Sequence, residues 1–408
     1  MPLRRKILVA IAAAVTIVAS LSACSSSSST GASGAPAASA AGGSGTPVTI
    51  GVMCSCSGAF GSTVSVGWSV VQAWQKSVNA SGGLNGHPVQ LVEKDDGSVT
   101  GTALTDAQSL ISAKVDAIID LDILDVVWQK AASAAQIPVI GGNFSSPSYY
   151  QDPNWYPSGQ TNDSITYSVA ATAKTAGAKN LADLYCAESV QCQESVPLIK
   201  SAGQSVGVPV VYSASISATA PNYTAQCVAA KQDGVTAIFI GDSISIIARV
   251  AADCSQQGYN PIYVTEGTGF TNQALTSPGL DDDLWSSYPI LPYFSTAPAV
   301  TAMNAVLDKY DPGLRENAST WSEFAAQAWT AGLLVAQAVK NAGVTASGTV
   351  SPAAITAGLD KVSDQTLNGF SPSLTFTTGK PHPVDCWYTG RVQGGKASQV
   401  GGLSCENS

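Results

Sequence analysis

Short apolar runs alternate with longer stretches of helical periodicity along most of the sequence, which restricts the fold more than any other feature. In the first half, strand-like runs lie near 48–53, 89–93, 117–121 and 138–140, and helical patterns lie near 63–80, 102–112 and 126–135. The plan repeats with strand-like runs near 181–185, 208–212, 237–241 and 261–264 and helical patterns near 194–206, 223–233 and 244–257. This alternation is typical of parallel sheets with crossover helices. We therefore predict an α/β fold with two Rossmann-like lobes.

The last part of the chain carries neither a third core nor a linker. Helical patterns lie near 300–310, 322–341 and 352–361, and β-like stretches lie near 373–377 and 386–392. These elements must return to the two lobes. Two α/β lobes that exchange segments leave a cleft at the carboxyl ends of their strands, where open α/β folds bind ligands.

The N-terminal residues predict export and lipid attachment. Arg4, Arg5 and Lys6 precede an uncharged run at 7–21, which is too short for a comfortable membrane span and is typical of a secretory signal peptide. The run ends in Leu21-Ser22-Ala23-Cys24, which matches the bacterial lipoprotein box, although an ordinary cleavage site after small residues is the alternative. We predict that residues 1–23 form a signal peptide and that Cys24 is lipidated. The protein is then extracytoplasmic and anchored to the cell membrane.

Residues 24–46 are predicted to form a flexible linker. From Ser25 to Thr46 every residue is Ser, Thr, Gly, Ala or Pro, so nothing in this stretch could form a core. A chain of this composition spans roughly 5–6 Å times the square root of its length, which gives a tether of about 25 Å.

Composition excludes several classes of function. The chain carries 19 basic and 28 acidic residues, a net charge of −9, and no basic cluster after the first six residues. Nucleic acid is therefore not an expected partner. Only His87 and His382 supply imidazole, and the sequence has no nucleophile elbow, phosphate loop or dinucleotide fingerprint. We expect no catalytic residues, no metal and no cofactor.

The cysteine content agrees with export. Apart from Cys24, eight cysteines remain: Cys54, Cys56, Cys186, Cys192, Cys227, Cys254, Cys386 and Cys405. Counting alone does not fix their connectivity. Sequence proximity suggests Cys186 with Cys192, Cys227 with Cys254, and Cys386 with Cys405, which leaves Cys54 and Cys56. That last pair could instead bind a soft metal, and free thiols are a further alternative.

Several motifs, in order along the chain, resemble those of a known family. They are Gly51-Val52-Met53, Ser57-Gly58, Asn79-Ala80-Ser81-Gly82-Gly83-Leu84-Asn85-Gly86, Asp95-Asp96, Thr265-Glu266-Gly267 and the helix around 321–338. Together they resemble the type I periplasmic binding proteins, in the leucine/isoleucine/valine-binding branch, over roughly residues 48–392. The resemblance implies a substrate-binding lipoprotein of an ABC importer, expected to be a monomer, with a small-molecule ligand and a membrane permease as partners.

The resemblance also implies how the chain is divided. The first lobe would contain residues 47–162 and 290–370, and the second lobe residues 163–289 and 371–408. The chain would cross between the lobes three times, near Asn162, near Pro289 and around 370–380.

The family pattern implies a set of ligand contacts in the cleft. Ser145 falls on a ligand hydroxyl and Glu266 on the acidic residue that accepts an ammonium group, while the backbone amides of Ser57 and Gly58 would favour an anion. The full set of candidate contacts is Ser57, Gly58, Thr63, Asp122, Asn143, Ser145, Ser243 and Glu266.

Two departures from the family pattern put an ordinary aliphatic amino acid in doubt. The serine-rich turn expected after the third strand is replaced by Asp120-Leu121-Asp122-Ile123-Leu124-Asp125, and Val190 and Ser243 stand near expected aromatic positions. Each candidate also has a structural alternative: Asp122 and Ser243 could cap helices, Ser145 could stabilise a turn, and Glu266 could be a solvated loop carboxylate.

The leading functional hypothesis is capture of a small polar solute, either an amino acid or an amide- or amine-like compound, for an ABC importer. The alternative is a ligand-sensing lipoprotein of the same fold that signals to a membrane receptor. An amide-cleaving enzyme on this fold is a third class, and the missing nucleophile and base argue against it.

The lipoprotein hypothesis predicts that Cys24→Ser releases the protein from membranes. Ligand affinity should not change, because the linker separates the anchor from the lobes. Fractionation after a high-salt wash, followed by a binding titration on the released protein, tests both points. Retention of the variant in the membrane fraction would show that Cys24 is not the anchor.

Overall fold

A computed structural model describes residues 43–142, 146–188, 190–267, 270–280, 284–317 and 320–406. The predicted α/β architecture with two lobes is confirmed. Most strand-like and helical patterns fold as the sequence indicates, because buried Val, Ile and Leu alternate with amphipathic helices.

The first lobe is built on a five-stranded sheet in the order β2-β1-β3-β4-β5, and all of its strand pairs are parallel. Its strands are β1 (Val48–Cys54), β2 (Val89–Asp95), β3 (Ala117–Leu121), β4 (Val139–Gly141) and β5 (Trp155–Tyr156). The second lobe has a seven-stranded sheet in the order β12-β11-β10-β9-β8-β6-β7. Its strands are β6 (Leu181–Cys186), β7 (Val210–Ile216), β8 (Ala237–Gly241), β9 (Ile262–Glu266), β10 (Leu284–Tyr288), β11 (Cys386–Gln393) and β12 (Lys396–Cys405).

Helices cover the sheets. They are α1 (Gly61–Val64), α2 (Val66–Ala80), α3 (Thr100–Ser112), α4 (Gln129–Ala134), α5 (Ser148–Gln151), α6 (Asn162–Thr175), α7 (Val190–Val206), α8 (Thr224–Gln232), α9 (Ile244–Gln256), α10 (Pro298–Tyr310), α11 (Glu323–Ala342) and α12 (Pro352–Leu359). The late helices α10 and α11 pack on α2 of the first lobe, and α12 packs on α11. A Cβ on Gly332 of α11 would lie 2.7 Å from the ring of Trp74, so the close approach of α11 to α2 requires glycine there.

Three features differ from the sequence prediction. The stretch 373–377 is not a strand, and only Leu374 forms an isolated bridge, with Gln365. Helices α5 and α6 and strands β5, β10 and β12 were not predicted. The second sheet is also not wholly parallel, because β11 pairs antiparallel with both β10 and β12.

The chain passes between the lobes at three adjacent segments. The backbone amide of Gln160 donates to the carbonyl of Pro289 at 2.9 Å, and the amide of Thr161 donates to the carbonyl of Val384 at 2.9 Å. The rings of Phe376 and His382 pack against Tyr156 of β5. Phe376 and His382 therefore contact the first lobe.

The structure joins the eight cysteines in neighbouring pairs. The disulfides are Cys54–Cys56, Cys186–Cys192, Cys227–Cys254 and Cys386–Cys405, the same partners that sequence proximity suggests. Asp385 lies beside Cys386 and Cys405. Because both sulfurs are bonded to each other, this group lacks the thiolates that a soft metal requires.

The turn after β3 forms a buried network of carboxylates in the first lobe. Asp122 Oδ2 accepts a hydrogen bond from the indole nitrogen of Trp128 at 2.6 Å, and Asp122 Oδ1 accepts one from the Leu124 amide at 2.6 Å. Ser55 Oγ lies 2.8 Å from Asp122 Oδ1 and accepts from the Ile123 amide at 3.2 Å. The network therefore fixes the turn that carries Ile123.

Two further carboxylates of this turn are fully buried. Asp120 accepts a hydrogen bond from the hydroxyl of Tyr149 at 2.9 Å. Asp125 interacts with the side chain of Ser146, which opposes the effect of burial on its pKa. Burial raises the pKa of Asp120 well above its ordinary value and the pKa of Asp125 to about 8. No Lys or Arg forms an ion pair with either group within the described ranges.

The loop-entropy model of disulfides predicts a stability order among the pairs. Cys227–Cys254 spans a sequence separation of 27 and Cys186–Cys192 one of 6. The longer loop should contribute roughly 3–4 kcal/mol and the shorter one about 2 kcal/mol. Urea unfolding of the two double-alanine variants measures the difference. An equal or greater loss from removing Cys186–Cys192 would contradict this order.

The raised pKa of Asp125 predicts that the free energy of unfolding depends on pH. Because its pKa is higher in the folded chain than in the unfolded chain, the folded state binds more protons between about pH 4 and pH 8. Its contribution to the free energy of unfolding is therefore complete below about pH 4. It is lost as pH rises through about 8, by at most about 1.4 kcal/mol per pH unit.

Urea unfolding between pH 5 and pH 8.5 tests this dependence. Asp125→Asn should flatten the decline and make the variant more stable than the parent at pH 8.5. Asp233→Asn, at an exposed aspartate of the second lobe, is the matched control and should retain the parent slope. An unchanged slope in Asp125→Asn would assign the dependence to other groups.

Candidate functional site

A cavity of about 290 Å³ lies between residues of the two lobes. On the second-lobe side it meets the carboxyl ends of β6, β8 and β9 and the loops that follow them. On the first-lobe side it meets the loop after β1, helix α1, the turn after β3 and the start of α11. Open α/β sheets bind ligands at this edge, where the strand order reverses. In the second sheet that reversal lies at β6, which has β7 on one side and β8 on the other.

The second lobe supplies most of the polar groups. Thr265 and Glu266 end β9, and Asp242 and Ser243 follow β8. The Cys186–Cys192 disulfide also lines the cavity and joins the end of β6 to α7. These groups reach one place because parallel strands end at one edge of the sheet and their loops into the next helix are short.

Among the described residues, three carboxylates line the cavity: Glu188, Asp242 and Glu266. Glu188 is exposed, and it accepts hydrogen bonds from the hydroxyl of Ser217 and the amide of Ala218, both at 2.8 Å. Although burial opposes its ionisation, these hydrogen bonds lower the pKa of Glu188. This carboxylate is therefore ionised at neutral pH.

Asp242 is in a different environment. Its Oδ1 accepts a hydrogen bond from the Ser243 amide at 2.6 Å, and its Oδ2 is buried without a hydrogen-bond partner. Burial raises the pKa of Asp242, and the hydrogen bond from the Ser243 amide partly offsets that effect. The charge on Asp242 is therefore only partly compensated by the protein.

The first-lobe side of the cavity is mainly apolar. Apart from Asn162, at the crossing into α6, the described residues of this side are Ala59, Phe60, Thr63, Ile123 and Phe324, and Thr63 carries the only polar side chain of these five. Ile123 is placed here by the buried carboxylate network, since Ser55 accepts a hydrogen bond from its amide. The cavity thus has an apolar side and a polar side.

Three of the predicted ligand contacts line this cavity, namely Thr63, Ser243 and Glu266. Asn143 and Ser145 lie outside the described residues. Asp122 is fully buried in the network with Ser55 and Trp128 and is not among the residues that line the cavity. Its bond to the Leu124 amide, two residues along the chain, forms an Asx turn, and the following 3-10 helix (Asp125–Val127) has Leu124 at its N-cap without a side-chain cap hydrogen bond.

Ser57 and Gly58 are exposed and do not line the cavity. The expectation that their amides present an anion site is wrong for Ser57, because its amide donates to Asp95 Oδ1 at 3.1 Å. The Asp95 carboxylate therefore already accepts the hydrogen bond that the Ser57 amide would donate to a ligand anion.

Sequence reasoning missed several residues of the site. Tyr185, Glu188 and Phe239 line the cavity, as does Asn162 at the start of α6. Glu188 follows the end of β6 as Asp242 follows the end of β8. Glu188 could therefore have been predicted from its position just after a strand. Phe239 lies within β8, and its sequence position is typical of an ordinary core residue.

No described helix combines the length and the apolar character needed to cross a membrane.

Comparison with known proteins identifies the family. The profile of a family described as "Periplasmic binding protein" matches residues 47–397. A search of the curated proteins finds no match.

Solved structures share the fold at low sequence identity. A leucine binding protein from Thermotoga maritima has a TM-score of 0.73 at 15% identity, covering 88% of this chain and 99% of that chain. A solute binding protein from R. palustris, solved in complex with benzoate, has a TM-score of 0.72 at 17% identity, covering 88% and 96% of the two chains.

A fatty acid ABC transporter substrate-binding protein from Thermomonospora curvata is similar to the same extent. Its TM-score is 0.72 at 16% identity, with 88% of this chain and 93% of that chain covered. The family match over most of the length and the two-lobed fold agree with each other. This chain therefore belongs to the periplasmic binding protein family.

Proposed function

We propose that this protein is an extracytoplasmic solute-binding lipoprotein of an ABC importer. It captures a small polar solute, either an amino acid or an amide- or amine-like compound, in the cavity between its lobes. The observation that carries the proposal is the cavity itself, because residues of both lobes line it at the carboxyl ends of the second sheet. A solute that contacts both sides would favour the closed arrangement of the lobes.

The names of proteins with similar structures support the general activity and leave the solute open. They name leucine, benzoate and fatty acid as the ligands or transport substrates of proteins with this fold. The fold therefore accommodates solutes of different charge and polarity. The chemistry of this cavity, rather than the fold, must identify the solute of this chain.

The remaining parts of the proposal rest on the sequence. Cys24 would carry the lipid anchor, and residues 24–46 would let the lobes move near the membrane and reach the permease. Two or three acyl chains make a stable anchor, because each buried methylene contributes about 0.8 kcal/mol.

A ligand screen tests the proposed function. Thermal unfolding is measured with a panel of amino acids, amides, amines and small carboxylates. A true ligand at about 100 times its dissociation constant should stabilise the folded protein by about 2.7 kcal/mol. Absence of any stabilisation across a broad panel of polar solutes would contradict solute capture in this cavity.

Glu266→Gln tests the polar side of the cavity. If this carboxylate accepts an ammonium group, the variant keeps its shape and loses a charged hydrogen bond worth about 1.5–3 kcal/mol, or roughly ten- to a hundredfold in affinity. Amine-bearing ligands should lose affinity, while neutral analogues of the same shape should lose little. Isothermal titration calorimetry measures both classes.

Glu316→Gln is the matched control, because Glu316 is exposed and does not line the cavity. It should bind each ligand as the parent does. Equal affinity of Glu266→Gln and the parent for an amine-bearing ligand would remove Glu266 from the binding site.

A further inference from the structure

The cavity lining has an unbalanced charge. Glu188, Asp242 and Glu266 are all present, and no Lys, Arg or His is among the described residues that line it. A ligand carboxylate placed here would face like charges in a partly dehydrated site without a cationic partner. A ligand cation would instead lower the electrostatic free energy of all three groups.

Asp242 is the carboxylate whose surroundings most favour a cation. One of its oxygens is buried without a hydrogen-bond partner, and burial of an uncompensated carboxylate is unfavourable. A cation at this residue would compensate for that burial. Asp242 follows β8 directly and precedes α9, so its position is fixed by a strand and a helix of the second lobe.

Two of the nearby sources of positive potential already interact with groups of the protein. The first is the N-terminus of α9, which begins at Ile244, and there the carboxylate of Asp242 accepts the Ser243 amide. The second is Arg249, whose guanidinium donates to the carbonyls of Ala218 and Ala220 and lies over the ring of Tyr223. The Ser243 amide and the Arg249 guanidinium therefore already have acceptors within the protein.

The other side of the cavity suits an apolar group. Phe60, Ile123 and Phe324 lie on the first-lobe side, and Tyr185 and Phe239 add aromatic rings from the second lobe. Apolar surface buried against these side chains contributes roughly 25 cal/mol per Å². Aromatic faces also attract an organic cation.

We infer that the cavity binds an organic cation, namely an amine that has an apolar or aromatic body and lacks a carboxylate. The amine lies at Asp242 and Glu266, and the body packs against Phe60, Ile123 and Phe324. This inference rests on the proposed function and narrows its ligand class from amino acids, amides and amines to amines alone.

Calorimetric titration with matched probes tests the inference. The aromatic set is 2-phenylethylamine, phenylalanine and 3-phenylpropionate, and the aliphatic set is 3-methylbutylamine, leucine and 4-methylpentanoate. Within each set the apolar group is kept. The first compound carries only an amine, the second carries both an amine and a carboxylate, and the third carries only a carboxylate. In at least one set, the amine should bind at least tenfold more tightly than the amino acid, and the acid should bind least.

Two variants assign the effect to Asp242. Asp242→Asn should weaken amine binding at least tenfold, while its side-chain oxygen can still accept the Ser243 amide. Asp233→Asn, at an exposed aspartate after α8, should bind within twofold of the parent. Thermal unfolding of each variant without ligand shows whether the fold is retained.

The outcomes separate the two hypotheses. Tighter binding of an amino acid, a carboxylate or a neutral amide than of the amine overturns the inference and leaves solute capture intact. Amine binding that Asp242→Asn does not weaken, in a folded variant, also overturns it. Failure of every probe and of the broader panel of polar solutes overturns the inference and the proposed function together.

Discussion

Parallel strand pairing determines where this protein can bind a ligand. Strands β1–β5 all run in one direction, and so do β6–β10, so the carboxyl ends of each set lie at one edge of its sheet. The polar residues that follow β6, β8 and β9 are distant in sequence and still meet at one cavity. The return of α10–α12 to the first lobe, and of β11 to the second, ties the two lobes together at three adjacent crossings. The location of the cavity is thus determined by the strand topology, and the side chains determine only its chemistry.

Carboxylates near the interlobe cavity fall into two groups with different environments. Asp122 is held by Ser55, Trp128 and the Leu124 amide, and it acts within the first lobe by fixing the turn that presents Ile123. Glu188, Asp242 and Glu266 instead line the cavity. The sequence shows both groups simply as acidic residues after strands. Hydrogen bonding and burial distinguish the carboxylates that stabilise a turn from those that set the charge of the site.

Much of the fold could be predicted from periodicity, and the exceptions have physical causes. Helix α6 was missed because half of its eight buried residues are polar, and among the others only Ile165 and Val169 are large apolar residues. Strand β12 is mostly exposed and polar, so its pairing with β11 has little hydrophobic signal. The stretch 373–377 has an alternating pattern, but Phe376 packs beside Tyr156 and His382 rather than in a sheet. In the site, Glu266 could be predicted from its position after a strand, whereas Phe239 could not be distinguished from the core.

The proposed function requires that a solute occupies the cavity between the lobes and contacts carboxylates of the second lobe. A crystal structure of the protein purified from its native cells, without added ligand or refolding, tests this most directly. The account predicts density for a small molecule in this cavity, with an amine nitrogen within about 3 Å of Asp242 or Glu266. Density for a ligand bound elsewhere, or for a ligand that places a carboxylate against these residues, would contradict it.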